Sequence, residues 1–300
     1  MIEINQGIYL IDCFFAGLPA QCGAFLLRGE KNALIDTGPS HAAGHIIEAL
    51  EELGVGEADL HYIALTHTHL DHAGGASFLL ERFPRARIVV DEETSRYIVD
   101  PERLLKSAGR ALGEIAPYYG TMQPVPADKI IPLRDGHRLD LGGGRSLLAV
   151  HTPGHSAGHF AFLEQDTGAL FCGDSLGHLI ADSGYIFPAT PAPEFDLELS
   201  IASSGRLADL GADLLLFPHF GAAECVRETC DRFVAQLQWS LGVAEELQRA
   251  GAAPELLAAH LLRDMPQLKE GESGLITGIQ EVNAAGMLHY LLKKTGQPGV

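Results

Sequence analysis

Thr66-His67-Thr68-His69-Leu70-Asp71-His72-Ala73-Gly74-Gly75 places three imidazoles and one carboxylate within six residues. Tyr62-Ile63-Ala64-Leu65 before it reads as a buried strand, and Ser77 to Phe83 after it reads as a helix. The cluster therefore sits on a strand-to-helix turn, where side chains can converge beyond a sheet edge. Imidazole nitrogen and carboxylate oxygen are the donor set for zinc or another borderline divalent metal. Four donors in so short a stretch exceed what one ion takes with ordinary geometry, so the turn points to two. A solvated His-rich loop has the same residue types. It would not carry a flanking apolar strand and a glycine pair, as a rigid site does.

The chain of 300 residues is 46% hydrophobic, enough for one large core or two modest ones. No apolar run reaches bilayer-spanning length, so no membrane partner is expected. The N-terminal Met1-Ile2-Glu3-Ile4-Asn5 has no signal-peptide pattern, which gives the expectation of a cytoplasmic protein. Cys13, Cys22, Cys172, Cys225 and Cys230 are scattered and odd in number, a pattern of reduced thiols. The formal charge of −18, with no Lys/Arg block, argues against a nucleic-acid partner. A small molecule is the expected substrate.

Strands are expected over Gly7 to Phe15, Ala24 to Leu27, Ala33 to Ile35 and His61 to Leu65. A helix from His41 to Leu53 follows the third, with Ser40 as N-cap and Gly54 as stop. After the ligand turn come a strand at Arg87 to Val90 and broken helix from Glu92 to Tyr119. Interruptions are expected at Pro101, Gly109 and Gly113. From Lys129 the pattern turns to β-structure, with Ile130 to Leu133, His137 to Leu141, Arg145 to Val150, Phe160 to Leu163 and Ala169 to Cys172. Pro193 to Leu210 reads as helix, Leu214 to Phe217 as strand, and the remainder as helices. Each half runs from strands to helices, compatible with two sheets face to face and helices outside.

Three further strand ends carry donors: His155, Asp174 and His219. Gly154 and Gly173 precede the first two and can adopt backbone conformations that aim the next side chain inward. With the first cluster they make seven donors. Three histidines and a shared carboxylate would hold one ion; Asp, two histidines and the same carboxylate would hold the other. Two divalent ions against Asp71, Asp174 and a hydroxide leave a net positive site, suited to polarising a carbonyl or phosphoryl oxygen. Water with a lowered pKa is then the nucleophile, and no Ser or Cys nucleophile is needed.

These residues resemble the metallo-β-lactamase-fold hydrolase superfamily. Its His-x-His-x-Asp-His pattern matches His67, His69, Asp71 and His72. Its Pro-Gly-His turn matches Pro153-Gly154-His155, its Gly-Asp turn matches Gly173-Asp174, and its last histidine matches His219. The resemblance covers roughly residues 7 to 221. It implies an α+β, four-layer αββα sandwich with the site between the tops of the sheets. It assigns His67, His69 and His155 to one ion, Asp71, His72 and His219 to the second, and Asp174 to both. Asp36, in Asp-Thr-Gly, matches a position that supports the ligands. Zinc is the expected metal, and iron or manganese suit the same donors.

Within the superfamily the chain looks like the broad glyoxalase II-like group. It departs from glyoxalase II after the bridging Asp, where Ser175-Leu176-Gly177-His178 stands in place of Gly-Cys-Gly-Arg. Leu170 to Gly177 is similar to the corresponding part of a pseudomonad thioesterase. The expected domains are a catalytic unit, 1–223, and a helical extension, 224–300. The extension is expected to act as a lid or a homodimer surface through the stripes Phe233, Leu237, Leu241 and Met287, Leu288, Leu291. Residues 178–195 are expected to form a loop near the cleft, with His178 or Tyr185 facing an oxyanion. His151 and His159 read as surplus to the ligand set.

The expected function is a dinuclear metallohydrolase in which metal-bound hydroxide attacks an ester or thioester carbonyl, with Asp71 and Asp174 as catalytic carboxylates. The alternatives are a phosphodiesterase using the same site, an iron-dependent oxygen or redox enzyme, and a metal-stabilised binding protein.

Overall fold

The first sheet runs in sequence order: β1 (Ile2–Asn5), β2 (Ile8–Asp12), β3 (Gly23–Leu27), β4 (Asn32–Ile35), β5 (Leu60–Ala64), β6 (Arg87–Asp91) and β7 (Ile130–Leu133). The strands are antiparallel from β1 to β4 and parallel from β4 to β7. The parallel pairs need crossovers. These are supplied by α1 (Ala43–Glu52), α2 (Leu70–Ala73), α3 (Ala76–Arg82), α4 (Arg96–Val99), α5 (Glu102–Leu112) and α6 (Ala116–Tyr119). The second sheet uses β8 (Arg138–Gly142), β9 (Arg145–His151), β10 (Phe160–Glu164) and β11 (Ala169–Phe171), then β14 (Leu214–Phe217) and β15 (Gly221–Ala223). Its order is β15-β14-β11-β10-β9-β8, and a separate hairpin pairs β12 (His178–Ile180) with β13 (Tyr185–Phe187). The last helices are α7 (Leu197–Ala208), α8 (Val226–Arg249), α9 (Pro254–Arg263) and α10 (Ser273–Lys294). This computed structural model describes residues 1–180, 183–251, 253–269 and 271–296.

Three apolar cores define four layers. Phe25, Leu27 and Ile35 of the first sheet meet Phe160, Phe162 and Phe171 of the second, with Phe25 and Phe171 edge to face at 5.2 Å. Outside the first sheet, Ile46, Leu50 and Leu79 of α1 and α3 cover Leu34, Ile63 and Ile88. Outside the second, Leu207 of α7 and Phe233 and Leu237 of α8 cover Leu170 and Leu215. Strands β3, β4 and β10 are buried along their whole length because both faces are covered. The αββα expectation therefore holds. Among the described residues no helix is long and apolar enough to cross a membrane.

Local expectations are corrected at several points. Ser40 does not cap α1. It opens a 3-10 turn, Ala42 occupies the cap without a side-chain bond, and Ser40 Oγ accepts from Thr121 N–H at 3.0 Å. Helix α5 passes through Gly109 and stops at Gly113, whose φ is +53°. Helix α7 begins at Leu197 rather than Pro193, because Asp196 accepts from Leu199 N–H and caps it there. The 178–195 segment contains a hairpin, not only a loop. Its strands of three residues are too short to display a period.

Candidate metal centre

The ligand turn leaves β5 at Ala64 and enters α2 at Leu70, and Asp36 at the end of neighbouring β4 ties it down. The Asp36 carboxylate accepts from Thr66 N–H at 2.8 Å and from the Thr66 hydroxyl at 2.9 Å. It also lies 2.9 Å from His72 Nδ1. The Thr66 oxygen in turn lies 3.0 Å from His67 Nδ1. One carboxylate thus orients imidazoles on both sides of the turn. Asp36 takes a φ of +58°, which is unusual for a side chain other than glycine.

Two glycines set the other donors. At Gly154 φ is +135°, and an added Cβ would lie 2.5 Å from Ser200 N, so only glycine lets His155 swing inward. At Gly173 φ is +52°, and a Cβ would lie 2.5 Å from His159 Nε2. His155 Nδ1 is 3.0 Å from the Ala189 carbonyl, and His219 Nδ1 is 2.8 Å from the Gln21 carbonyl. With Nδ1–H donated outward, each ring presents the Nε2 lone pair to the centre.

Those lone pairs meet. His67 Nε2, His69 Nδ1 and His155 Nε2 lie 2.9 to 3.2 Å from one another. Beside them, His72 Nε2 and His219 Nε2 lie 3.4 and 3.5 Å from Asp174 Oδ1, and 3.7 and 3.6 Å from Asp71 Oδ2. His72 Nε2, His219 Nε2 and Asp174 Oδ1 are buried with no hydrogen-bond partner. Facing lone pairs repel, and orphaned buried polar atoms cost about 1–3 kcal/mol each. A cation at each focus would remove both penalties, so the donors fit a pair of divalent ions. The groups that could hold metal include His67/His69/His155 and Asp71/His72/His219, with Asp174 beside both.

Burial holds His67 well below the usual imidazole range, His69 at about 4, and His155 at about 3. Burial and neighbouring His178 hold His219 at about 3. These rings are neutral, the form that binds metal. His72 differs. Burial pulls it down, but Asp174, Asp71 and Asp36 outweigh burial and raise it well above the usual value. The carboxylates demand positive charge at that nitrogen, from a proton or a metal ion. Burial raises Asp71, whereas His72, His219 and His178 overcome burial at Asp174 and hold it well below the usual range.

His178 also enters the cluster. Its Nε2 is 3.4 Å from Asp174 Oδ2, and its ring stacks on His219 at 3.8 Å. Tyr185, the other candidate on this segment, is placed elsewhere. Its hydroxyl accepts from Gln236 Nε2 at 2.9 Å, and its ring packs on the outer core of the first sheet. His159 is the residue that sequence reasoning passed over. Its Nε2 accepts from Asp174 N–H at 3.0 Å, so Nδ1 carries the proton and donates to Thr152 Oγ1 at 2.8 Å. It positions Asp174 through the backbone, a role with no signal in residue spacing.

A cavity of about 340 Å³ opens from this centre. His69, Asp71, His155 and Asp174 form its floor. Its walls come from Leu104, Ala108 and Leu112 of α5, from Tyr119, from 189–194, and from Ile279, Val282 and Asn283 of α10. The apolar stripes expected to face the site do not. Phe233, Leu237, Leu241, Met287 and Leu291 are buried on the outer face of the second sheet, with Leu288 packed against them.

The chain belongs to the metallo-beta-lactamase superfamily, whose family model matches residues 17–219. It is similar to the metallo-beta-lactamase fold-containing protein ST1585 of Sulfurisphaera tokodaii, with 27% identity over 90% of this chain and 99% of that one. The crystal structure of ST1585 superposes with a TM-score of 0.71 over 94% of this chain and 98% of that one, at 26% identity. The metallo-beta-lactamase family protein TTHA1429 of Thermus thermophilus gives 0.72 at 27% identity, over 98% of this chain and 95% of that one. A hydroxyacylglutathione hydrolase of Aeromonas hydrophila is 32% identical over 64% of this chain, which spans 58% of that protein.

Proposed function

We propose that the protein is a dinuclear metal-dependent hydrolase of ester or thioester bonds. The observation that carries this reading is the pair of converging donor sets that share Asp174, with His72 Nε2, His219 Nε2 and Asp174 Oδ1 left without partners. His67, His69 and His155 would hold one ion, Asp71, His72 and His219 the other, and Asp174 would bridge. Bound divalent ions supply Lewis acidity toward a carbonyl oxygen and lower the pKa of water from 15.7 to about 7. Zinc suits these nitrogen and oxygen donors, and iron or manganese are the alternatives. Asp71, on the cavity floor beside His72 and His219, is placed to orient the attacking water. The mostly apolar walls limit water around the reacting carbonyl.

A carbonyl substrate is favoured over a nucleic-acid phosphodiester because Arg103 is the only Lys or Arg among the lining residues. The related hydroxyacylglutathione hydrolase is by name a hydrolase of a thioester, which supports the same bond class. Ile279, Val282 and Asn283 support a lid role for part of 224–300 over a catalytic unit of 1–223. The test is a panel of neutral ester, thioester and phosphodiester substrates, run with chelator, with metal restored, and with an oxygen electrode. Thioester or ester cleavage that chelator abolishes and metal restores is expected. Phosphodiester cleavage alone, or oxygen uptake with one iron per chain, would overturn the reading.

A further inference from the structure

The cavity's far wall is α5, and its composition is unusual for a helix of eleven residues. It is strongly amphipathic, yet none of its residues is fully buried. Leu104, Ala108 and Leu112 touch the core edge that includes Ile279 and line the cavity. Ile279, Val282, Ala189, Pro191 and Ala192 complete the apolar lining. Two polar groups of this wall are held by neighbours. Asn283 Oδ1 accepts from Thr190 N–H at 2.8 Å, and the Tyr97 hydroxyl accepts from Arg96 Nη2 at 3.1 Å. Arg103, in the first turn of α5 and exposed, is the only Lys or Arg of the lining and makes no hydrogen bond or ion pair among the described residues. Glu194, also in the wall, has Oε2 held by Ala157 N–H at 3.0 Å. The lining therefore combines carboxylates and imidazoles of the metal centre, apolar side chains of two helices, and one guanidinium.

We propose that this cavity takes a substrate with an extended apolar acyl chain and an anionic group remote from the scissile carbonyl, the chain lying between α5 and α10 and the anion on Arg103. The inference rests on the hydrolase reading for the identity of the carbonyl, but the binding geometry is separately measurable. The anion could sit on the far end of the acyl chain or on the leaving group, and the same guanidinium would recognise either.

The test uses purified, metal-loaded full chain and synthetic thioesters. Acetyl and octanoyl thioesters of mercaptoethanol give the chain-length effect. An ω-carboxylated octanoyl thioester, and the octanoyl thioester of mercaptopropionate, place the anion at the two ends. Octanoyl should exceed acetyl in kcat/KM by roughly a hundredfold, the worth of about three to four buried methylenes. Ala108→Phe, on the half-buried face, should collapse that ratio severalfold. One of the two anionic thioesters should show a KM about tenfold below neutral octanoyl, and Arg103→Gln should return that ratio to about one. The second readout is calorimetric binding of the matching thioethers, in which CH2 replaces the carbonyl. Arg103-dependent thioether binding without cleavage of any thioester or of the matching oxygen esters would sink the hydrolase reading and support the ligand class. Cleavage with no chain-length preference, or an anion effect untouched by Arg103→Gln, would overturn the inference and leave the hydrolase reading standing.

Discussion

The two halves of the donor cluster differ in charge more than in residue type. Around His67, His69 and His155 the donors are neutral nitrogens 2.9 to 3.2 Å apart, and burial is the largest influence on their protonation. Around His72 the carboxylates of Asp36, Asp71 and Asp174 lie at 2.9 to 3.7 Å, and those of Asp71 and Asp174 lie at 3.5 to 3.6 Å from His219. The first half can hold a cation only by donating lone pairs. The second already carries the negative field that a cation would neutralise. Asp174 connects them, lying near His155 on one side and His72 and His219 on the other. Loss of the connection should therefore affect both halves, whereas loss of an outer ligand should affect one.

The largest effect is expected at the connection. Asp174→Ala should bring metal content toward zero and reduce hydrolysis more than about a thousandfold, since Lewis-acid stabilisation is worth several kcal/mol. Elemental analysis beside steady-state rates checks this, and metal content at the wild-type level would break the account. His69→Ala and His72→Ala come next. Each should remove one ion per chain and leave the other half loaded, which metal counting on the purified variants reads directly. Asp36→Asn should act more gently, weakening metal binding about 10–100-fold by releasing both Thr66 and His72. Chelator competition measures it. Unchanged metal affinity in both halves would show that Asp36 is only a turn residue.

The smallest expected effect is at Thr152→Val. It removes the acceptor of the His159 Nδ1 proton, a buried hydrogen bond worth about 1 kcal/mol. Thermal unfolding should show a fall in Tm of about 2–4 °C. An unchanged Tm would mean that the hold of His159 on Asp174 does not depend on Thr152.

The contrast between the halves also explains what could be read in advance. His67, His69, Asp71 and His72 stand together in the chain, and Gly154 and Gly173 mark the turns that bring in His155 and Asp174, so the donors were legible from residue types and spacing. Asp36 was legible through Asp-Thr-Gly. What was not legible depends on contacts between residues far apart in the chain. Thr66 looks like any strand-end threonine until the Asp36 carboxylate is beside it. His159 looked surplus because its partner is the backbone N–H of Asp174, fifteen residues on. The stripes Phe233, Leu237 and Leu241 have the period of a buried face, but period does not say which face of the molecule they cover. The cavity wall was misplaced for that reason. Leu104, Ala108 and Ile279 build it, and their position depends on how α5 packs against α10.

The account's central claim is that two separate donor sets, joined at Asp174, each hold one ion. Native mass spectrometry of the purified full chain, with the metal loaded and excess removed, counts ions per chain without reference to any substrate. Two divalent ions per chain are predicted, falling to one in His72→Ala and to none in Asp174→Ala. A single ion in the wild-type chain, retained in His72→Ala, would contradict it.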